Sequence, residues 1–275
     1  MVTYDMSSFD APGTPLEEIE FLSRSPNRVR VLDALSGEPR GRYELEDSTG
    51  VTRATLGRIL DDFVERGWVR EDDRRYQTTQ LGAYVSREIN HVLERFEPVP
   101  ALNEVAEWFP EEGFGFDLGN LAGSTVVRST RSNALAPTAH ISKRVRTADQ
   151  VRLITYSVLP GVMGECWRGI VDGRLELESV LNGGAVESFG ADPQLIEQAR
   201  EMAETEQSEV YLYNGDIPST VFVVDDVVLL CLSGGEGAPR AVIETDDEVV
   251  RSWAETRIDE LRSEGKRLDP SLFTA

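Results

Sequence analysis

The sequence predicts an α+β protein with an N-terminal winged helix-turn-helix and a C-terminal α/β domain built on a mixed sheet. Apolar residues recur at helical spacing over residues 15–66, and two short strand-like segments around a charged turn follow them. Beyond residue 101, strand-like and helix-like segments alternate. The length of 275 residues, 40% of them apolar, is sufficient for two ordinary domains.

These patterns divide the chain into four segments. Residues 1–14 are rich in Ser, Pro, Gly and Asp and predict a flexible arm. Residues 15–81 predict the winged helix-turn-helix, and residues 82–100 a connecting helix that ends at two prolines. Residues 101–275 then form the α/β regulatory domain, for ligand sensing or dimerisation.

The first two helices are marked by helix start and stop residues. One helix is expected to begin at Pro15, and the next is expected to be capped by Ser25 with Pro26 at its first position. Gly37 is expected to end that second helix, since glycine is the usual residue just past a helix C-terminus.

A helix-turn-helix pattern follows. A short helix over residues 43–49 leads to a turn at Gly50, Thr52 caps the next helix, and Gly67 stops it. The predicted buried face of this last helix follows helical spacing and consists of Leu56, Ile59, Leu60, Phe63 and Val64. Two strands at 68–69 and 76–78, around a charged tip at 71–73, complete the predicted wing.

The C-terminal half predicts a sheet with interleaved helices. Residues 121–130 indicate a loop and a strand, and residues 134–149 a turn and a helix. Further strands are predicted at 151–160, 174–182, 208–215 and 239–247, with two more in 219–234 around an Asp225-Asp226 turn. Helices are predicted at 161–173, 191–205 and 249–265.

The composition is strongly acidic. The formal net charge is −21, and Lys143 and Lys266 are the only lysines among 28 basic residues. Such a surface is typical of a halophilic host, because concentrated salt screens the self-repulsion. No apolar run is long enough for a membrane span, and the N-terminus does not read as a signal peptide, so we expect a cytoplasmic protein without membrane contact.

Two cysteines, Cys166 and Cys231, lie far apart in apolar surroundings. Neither has a second Cys or His at metal-ligand spacing, so buried free thiols are expected, and neither a metal nor a cofactor.

Charge distribution points to DNA as a partner. Residues 21–80 hold 11 arginines and 11 acids, whereas residues 81–275 hold 17 basic and 33 acidic residues. The less acidic N-terminal segment therefore fits a domain that binds double-stranded DNA. The predicted DNA-binding residues are Arg40, Arg42, Thr52, Arg53, Thr55, Arg58, Arg70, Arg74, Arg75 and Tyr76. The alternatives are a solvated helix, a wing whose acids pair with its arginines, and a winged helix that binds proteins.

The segment STGVTRATLGRILDDFVERGWV resembles the helix-turn-helix of the IclR and TrmB groups of regulators. Over roughly 20–265 the chain is similar to haloarchaeal regulators that join this domain to the domain named after the methanogenesis filamentation regulator. The resemblance implies homodimers, duplex DNA binding and an effector domain.

The same resemblance bears on enzyme activity, because TrmB-type effector domains are related to the phospholipase D fold. The H-x-K-x4-D spacing on which phospholipase D chemistry depends is missing at PSTVFVVDD. No enzyme is therefore expected, and a hydrolase remains a weak alternative.

The C-terminal domain is predicted to bind a small molecule at its strand ends. The candidate residues are Arg128, Arg131, Tyr156, Ser157, Trp167, Arg168, Tyr213, Asn214, Ser219 and Thr220. Arginines among aromatic residues favour a small anionic metabolite. The alternatives are that the aromatics are core residues and the arginines pair with surface acids, or that the domain only mediates dimerisation or docking.

The predicted connecting helix suggests a homodimer. Its apolar residues Val85, Ile89, Val92 and Phe96 form a stripe that fits a second copy of the chain. The same stripe would equally well pack on its own domain. Two-fold symmetry would suit two DNA half-sites about one helical turn apart.

Overall fold

A computed structural model describes residues 14–189, 192–234 and 238–268. The chain divides into two compact units, Met1–Arg95 and Phe96–Ala275. The predicted arm at 1–14 lies outside the described residues except for Thr14, which is buried and caps the first helix. The Thr14 hydroxyl accepts a hydrogen bond from the Glu17 amide, and the Glu17 carboxylate accepts one from the Thr14 amide.

Five helices of the N-terminal unit are described: α1 (Pro15–Ser23), α2 (Pro26–Ala34), α3 (Arg42–Thr49), α4 (Arg53–Glu65) and α5 (Gln80–Phe96). Prolines begin α1 and α2, as predicted, but the Ser25 hydroxyl makes no capping hydrogen bond. α2 ends at Ala34 rather than at Gly37, with Leu35 as its C-cap. Gly50 ends α3 with a φ of 68°, a left-handed conformation that glycine adopts without strain.

The core of this unit contains Leu56, Ile59, Leu60 and Phe63 of α4, as the spacing predicts. Val64 was expected in the same face but is 43% exposed. It follows Phe63 directly and therefore points about 100° away around the helix.

The wing is a three-stranded antiparallel sheet rather than the predicted hairpin. Its strands are β1 (Arg40–Gly41), β2 (Val69–Asp72) and β3 (Arg75–Thr78), in the order β1-β3-β2. Trp68 precedes the strand in which it was predicted. The tip is the two-residue turn Asp73-Arg74, since Asp72 pairs with Arg75. The predicted tip at 71–73 is therefore displaced toward the C-terminus.

The C-terminal unit contains a mixed sheet, which confirms the predicted α+β fold class. Within the described residues its strand order is β11-β7-β6-β5-β8-β9-β10-β4. The strands are β4 (Thr125–Arg128), β5 (Gln150–Thr155), β6 (Glu176–Leu181), β7 (Ser208–Leu212), β8 (Val221–Val224), β9 (Val227–Leu232), β10 (Ala241–Thr245) and β11 (Lys266–Arg267). β5, β6 and β7 are parallel, and the other pairings are antiparallel.

Both faces of this sheet are covered. Its helices are α6 (Val99–Asn103), α7 (Ala136–Arg146), α8 (Pro160–Val171), α9 (Gly183–Ser188), α10 (Pro193–Ala203) and α11 (Glu248–Glu264). Alternate residues of β6 enter two separate cores: Leu177 and Leu181 pack with α8 and α10, whereas Val180 packs with α11.

The structure adds α6, α9 and β11 to the predicted elements and shortens several strands. The strand predicted at 151–160 ends at Thr155, because Pro160 begins α8. Both cysteines are buried free thiols, as predicted. Along the described ranges, every helix is too short or too polar to cross a lipid bilayer.

Candidate functional site

The N-terminus of α4 presents polar groups to solvent. Gly50 and the buried Val51 form the turn before it, and Thr52 occupies the N-cap position. The Thr52 hydroxyl bonds to the Thr55 hydroxyl at 3.1 Å and caps no backbone amide. The amides of the first helical turn are thus left for an external acceptor, and helix N-termini of this kind bind phosphate.

Arg53 and Arg58 are both exposed and lie in the N-terminal half of α4. Among the described residues, neither side chain has an ion-pair or hydrogen-bond partner. The helix dipole disfavours a cation at the first position of a helix, where Arg53 lies, so that charge does not serve helix stability. Arginine at the start of an exposed helix suits guanine edges or phosphates.

The wing tip holds a third free arginine. Asp73 and Arg74 have φ values of 45° and 61°, and this pair of left-handed residues makes the tight turn between β2 and β3. Non-glycine residues adopt this conformation at a cost, and such strain is concentrated at functional sites. Arg74 is exposed, and within the described chain it has no bonding partner. Arg70, on β2, donates to Gln77.

Three other predicted DNA-binding residues have structural roles. The Tyr76 side chain is only 1% exposed, because alternation along β3 turns it toward the helices. Its hydroxyl accepts hydrogen bonds from the Arg42 guanidinium, the shorter at 2.7 Å. Arg75 donates to the Pro39 carbonyl at 2.6 Å and to Glu44 at 3.1 Å. Tyr76 is therefore a core residue rather than a surface contact, and Arg42 and Arg75 already have partners.

Tyr43 is a surface residue that the sequence analysis did not select. It lies in the first turn of α3 and is 80% exposed. Arg40, on β1, is half-buried and has no side-chain bond within the described residues. The sequence could have identified Tyr43, because it is a large aromatic residue next to basic residues. Aromatic side chains of this kind are enriched at interfaces.

In the C-terminal unit, most predicted ligand-binding side chains have other partners. Arg128 pairs with Glu104 at 2.9 Å, and Arg168 pairs with Glu165 at 2.8 Å. The Trp167 indole donates to Glu201. Tyr213 is half-buried and packs against the core on the α11 side of the sheet, and Arg131 is exposed in the turn after β4. The structure does not bring these five residues together.

Tyr156 and Ser219 do meet, at a cavity of about 540 Å³. It opens where β5 and β6 end side by side, since Thr155 pairs with Leu181. The Tyr156 hydroxyl bonds to Ser233, and burial raises the pKa of Tyr156. Asn182 and Trp108 also line the cavity. Thr220, by contrast, is buried and bonds to Thr155.

The charge of this cavity differs from the prediction. Its described lining includes the carboxylates of Glu107, Glu111, Glu112 and Asp216 and no lysine or arginine. Carboxylates repel anions and attract cations. The cavity therefore favours a neutral or cationic ligand, and the predicted anionic metabolite lacks the arginines on which that expectation rested.

Two domain families match the chain. Residues 16–99 match the HVO_A0261 N-terminal domain, and residues 134–264 match the middle domain of the methanogenesis regulatory protein FilR1. A search of curated proteins found no match.

Similarity to solved structures is weak. TrmBL2, an archaeal chromatin protein, is 14% identical with a TM-score of 0.38 over 93% of this chain and 100% of its own. Nuc, a phospholipase D family member from Salmonella typhimurium, is 14% identical with a TM-score of 0.41 over 53% of this chain and 97% of its own. A predicted DNA-binding transcriptional regulator from E. coli is 19% identical with a TM-score of 0.26, covering 32% and 99%. The two family matches confirm the resemblance to archaeal regulators: a segment similar to the HVO_A0261 N-terminal domain is followed by one similar to the FilR1 middle domain.

Proposed function

We propose that the chain is a transcription regulator whose N-terminal unit binds duplex DNA. The observation that carries the proposal is the pair of exposed, unpartnered arginines on α4, Arg53 and Arg58, beside the free first-turn amides of that helix. The helix would lie in the major groove with its N-terminal half against the bases, and Arg74 on the wing would reach the backbone. The match of residues 134–264 to the middle domain of a methanogenesis regulatory protein supports the same function.

Removal of Arg58 tests this proposal. Arg58→Ala should weaken binding to a duplex from the region upstream of its own gene by about 5- to 150-fold, the effect of losing one bidentate base contact. Lys143→Ala is the matched control, because it removes one exposed positive charge from α7 in the other unit. Equal affinities for Arg58→Ala and the wild type would contradict base recognition by α4. Binding that salt does not weaken, or no DNA binding at all, would favour a protein-interaction role instead.

We also propose that α5 joins two copies of the chain. Leu81, Tyr84, Val92 and Phe96 are exposed along one side of the helix, at helical spacing. Val85 and Ile89, which were predicted in the same stripe, pack into the N-terminal core instead. The predicted stripe thus divides along the helix: Val85 and Ile89 pack on the core, whereas Val92 and Phe96 near the C-terminal end of α5 stay exposed and support dimerisation.

Light scattering of two charge-introducing variants tests the dimer. Val92→Glu should give a monomer at micromolar concentration, because a buried unpaired carboxylate opposes association. Ala83→Glu introduces the same charge on the opposite face of α5 and should remain a dimer. A monomeric wild type, or a dimeric Val92→Glu, would contradict an interface on this face.

The acidic cavity supports ligand sensing as the role of the C-terminal unit. Its position at the carboxyl ends of parallel strands is where α/β sheets bind ligands. Neutral and cationic metabolites should raise the melting temperature in high salt, and anionic metabolites should not. Tyr156→Phe should reduce that shift, since it removes the hydroxyl that faces Ser233. If no metabolite of a broad panel raises the melting temperature, dimerisation or docking remains as the function of this unit.

A further inference from the structure

A second cavity lies on the other face of the sheet, beneath α8 and α10. Its volume is about 80 Å³. The side chains around it are almost all apolar and include Leu153, Leu177, Leu181, Met163, Met202 and Phe222. Protein interiors are packed like organic crystals, so a void of this size is unusual in a native core. Water gains little in an apolar cavity that offers it few hydrogen-bond partners.

Ser179 is the reason for the void. It occupies the middle of β6, between Leu177 and Leu181 on the same face, and pairs with Leu153 and Val210 on the flanking strands. Every one of these neighbours is aliphatic, so a serine at this position leaves the space that a larger side chain would fill. The sequence therefore contains a small polar residue at the place where core packing alone would select leucine or valine.

The Ser179 hydroxyl has no protein partner. The residue is 5% exposed and lines the cavity, and within the described part of the chain its side chain makes no hydrogen bond. Among the described side chains, the buried oxygen without a partner is that of Ser208, so the Ser179 oxygen is not sealed in the protein but is accessible from the cavity, where it can bond to a ligand oxygen. The nearby Thr155 hydroxyl is not equivalent, because it already donates to the Ser157 carbonyl at 2.6 Å.

No charge is available inside the cavity. The residues that line it include no acid, lysine or arginine. Burial raises the pKa of the Cys166 thiol to about 12, so this side chain is neutral. A charged ligand would lose its hydration without compensation, and a fully apolar ligand would leave the serine unpaired.

We propose that this cavity binds a short, neutral aliphatic molecule whose single oxygen forms a hydrogen bond with Ser179. The site differs in chemistry from the acidic cavity of the proposed function and does not depend on it. An apolar cavity of about 150 Å³ holds benzene, so the present volume suits about three or four heavy atoms. Ser157, Val158 and Leu159 are half-buried lining residues at the end of β5 and mark the side on which a ligand would enter.

Methyl NMR of the full-length protein provides a direct test. The chain has 4 methionines, and two of them, Met163 and Met202, line the cavity. Titration of ¹³C-methyl-methionine protein with 1-propanol should shift these two signals saturably. Xenon, which occupies apolar cavities without hydrogen bonding, should shift the same signals. Absence of a saturable shift with both probes would overturn the proposal.

Variants of Ser179 separate binding from packing. Ser179→Leu fills the void and should abolish both responses, and Ser179→Val serves the same purpose if leucine prevents folding. Ser179→Ala keeps the space and should preserve the xenon shift while weakening 1-propanol binding about two- to tenfold, the effect of one hydrogen bond. Equal 1-propanol affinity in Ser179→Ala and the wild type would overturn the assigned hydrogen bond. A 1-propanol shift that persists in a folded Ser179→Leu or Ser179→Val protein would overturn the assignment of the ligand to this cavity.

Discussion

Arg53, Arg58 and Arg74 of the N-terminal unit stand in solvent without partners among the described residues, whereas Arg152 and Arg262 of the C-terminal unit both bind the carboxylate of Glu178. The distances in that second cluster are 2.7 Å and 2.5 Å, and Arg152 also pairs with Asp259. Arginine is thus left without partners at these positions of the N-terminal unit, whereas in the C-terminal unit these arginines form ion pairs within the unit.

This difference shows that the ion pairing of each arginine says more about its availability to DNA than the net charge of the segment does. Residues 21–80 have equal numbers of arginines and acids, so their net charge does not show which side chains would bind DNA. The acids Asp62, Glu18 and Glu44 neutralise Arg28, Arg66 and Arg75. Arg53 and Arg58 on α4, Arg74 at the wing tip and Arg40 on β1 are left without partners among the described residues, and only the structure separates these arginines from the paired ones.

The largest expected effect comes from breaking the C-terminal cluster. Glu178→Gln leaves two arginines without their shared carboxylate, and the Arg152 side chain is only 18% exposed. Loss of one partner of a buried ion pair costs about 3–5 kcal/mol, and the lower end of that range is expected because Arg152 keeps its pair with Asp259. Urea unfolding in constant high salt should show that loss. Glu197→Gln, which breaks an exposed pair with Arg200, should cost about 1 kcal/mol or less. Equal losses would show that the cluster adds no more than a surface pair.

A smaller effect distinguishes paired from free arginines within the N-terminal unit. Arg42→Ala removes the hydrogen bonds to the buried Tyr76 hydroxyl and should lower the free energy of unfolding by about 1–3 kcal/mol. Arg74→Ala should change it by less than about 0.5 kcal/mol and should weaken DNA binding instead. Unfolding curves and DNA titrations of both variants measure the two quantities. If the two variants lost the same amount of stability and of DNA affinity, paired and free arginines would not differ in role.

Salt dependence sharpens the roles of the free arginines. A phosphate contact by Arg74 should reduce the slope of log K against log salt by about 1 when the side chain is removed, with equal loss for all sequences. A base contact by Arg58 should instead relax the preference for one base pair. Titrations at several salt concentrations with matched and mutated duplexes measure both effects. A change of sequence preference in Arg74→Ala would reverse the assignment.

Local signals in the sequence were sufficient for most elements but not for the side chains that bear on function. Pro15, Pro26 and Gly50 act on their own backbone, and the helices begin or end where those residues predict. Tyr76 pairs with Arg40 of β1, a two-residue strand with no periodicity of its own, and its hydroxyl bonds to Arg42, so no local pattern identified its partners.

The cavity residues needed long-range information as well. Ser179 looks like an ordinary strand residue until β5 and β7 are placed beside it. The Arg128–Glu104 pair joins residues that no local pattern relates. Sequence reasoning therefore located the α4 surface, because it is one continuous helix face, and could not assemble a site whose parts come from several strands.

The smallest expected effect concerns acid stability, in which the two units again differ. Glu244 is 11% exposed and accepts hydrogen bonds from Arg144 and His140. Burial raises the pKa of Glu244, but these bonds outweigh it, and the pKa lies below its ordinary value. A lowered carboxyl pKa contributes stability above the unfolded value of about 4.3, and this contribution is lost as the pH falls through the folded value. Glu244→Gln should therefore unfold with a shallower dependence on pH below about 4.3 than the wild type.

Glu44 of the N-terminal unit also has a lowered pKa, chiefly because its carboxylate accepts a hydrogen bond from the Gly41 amide, but it is exposed to solvent. Glu44→Gln should follow the wild-type pH profile closely, since solvent screens an exposed group. Denaturant titrations at fixed ionic strength across this pH range measure both slopes, and a wild-type slope in Glu244→Gln would show that its two hydrogen bonds do not contribute to stability.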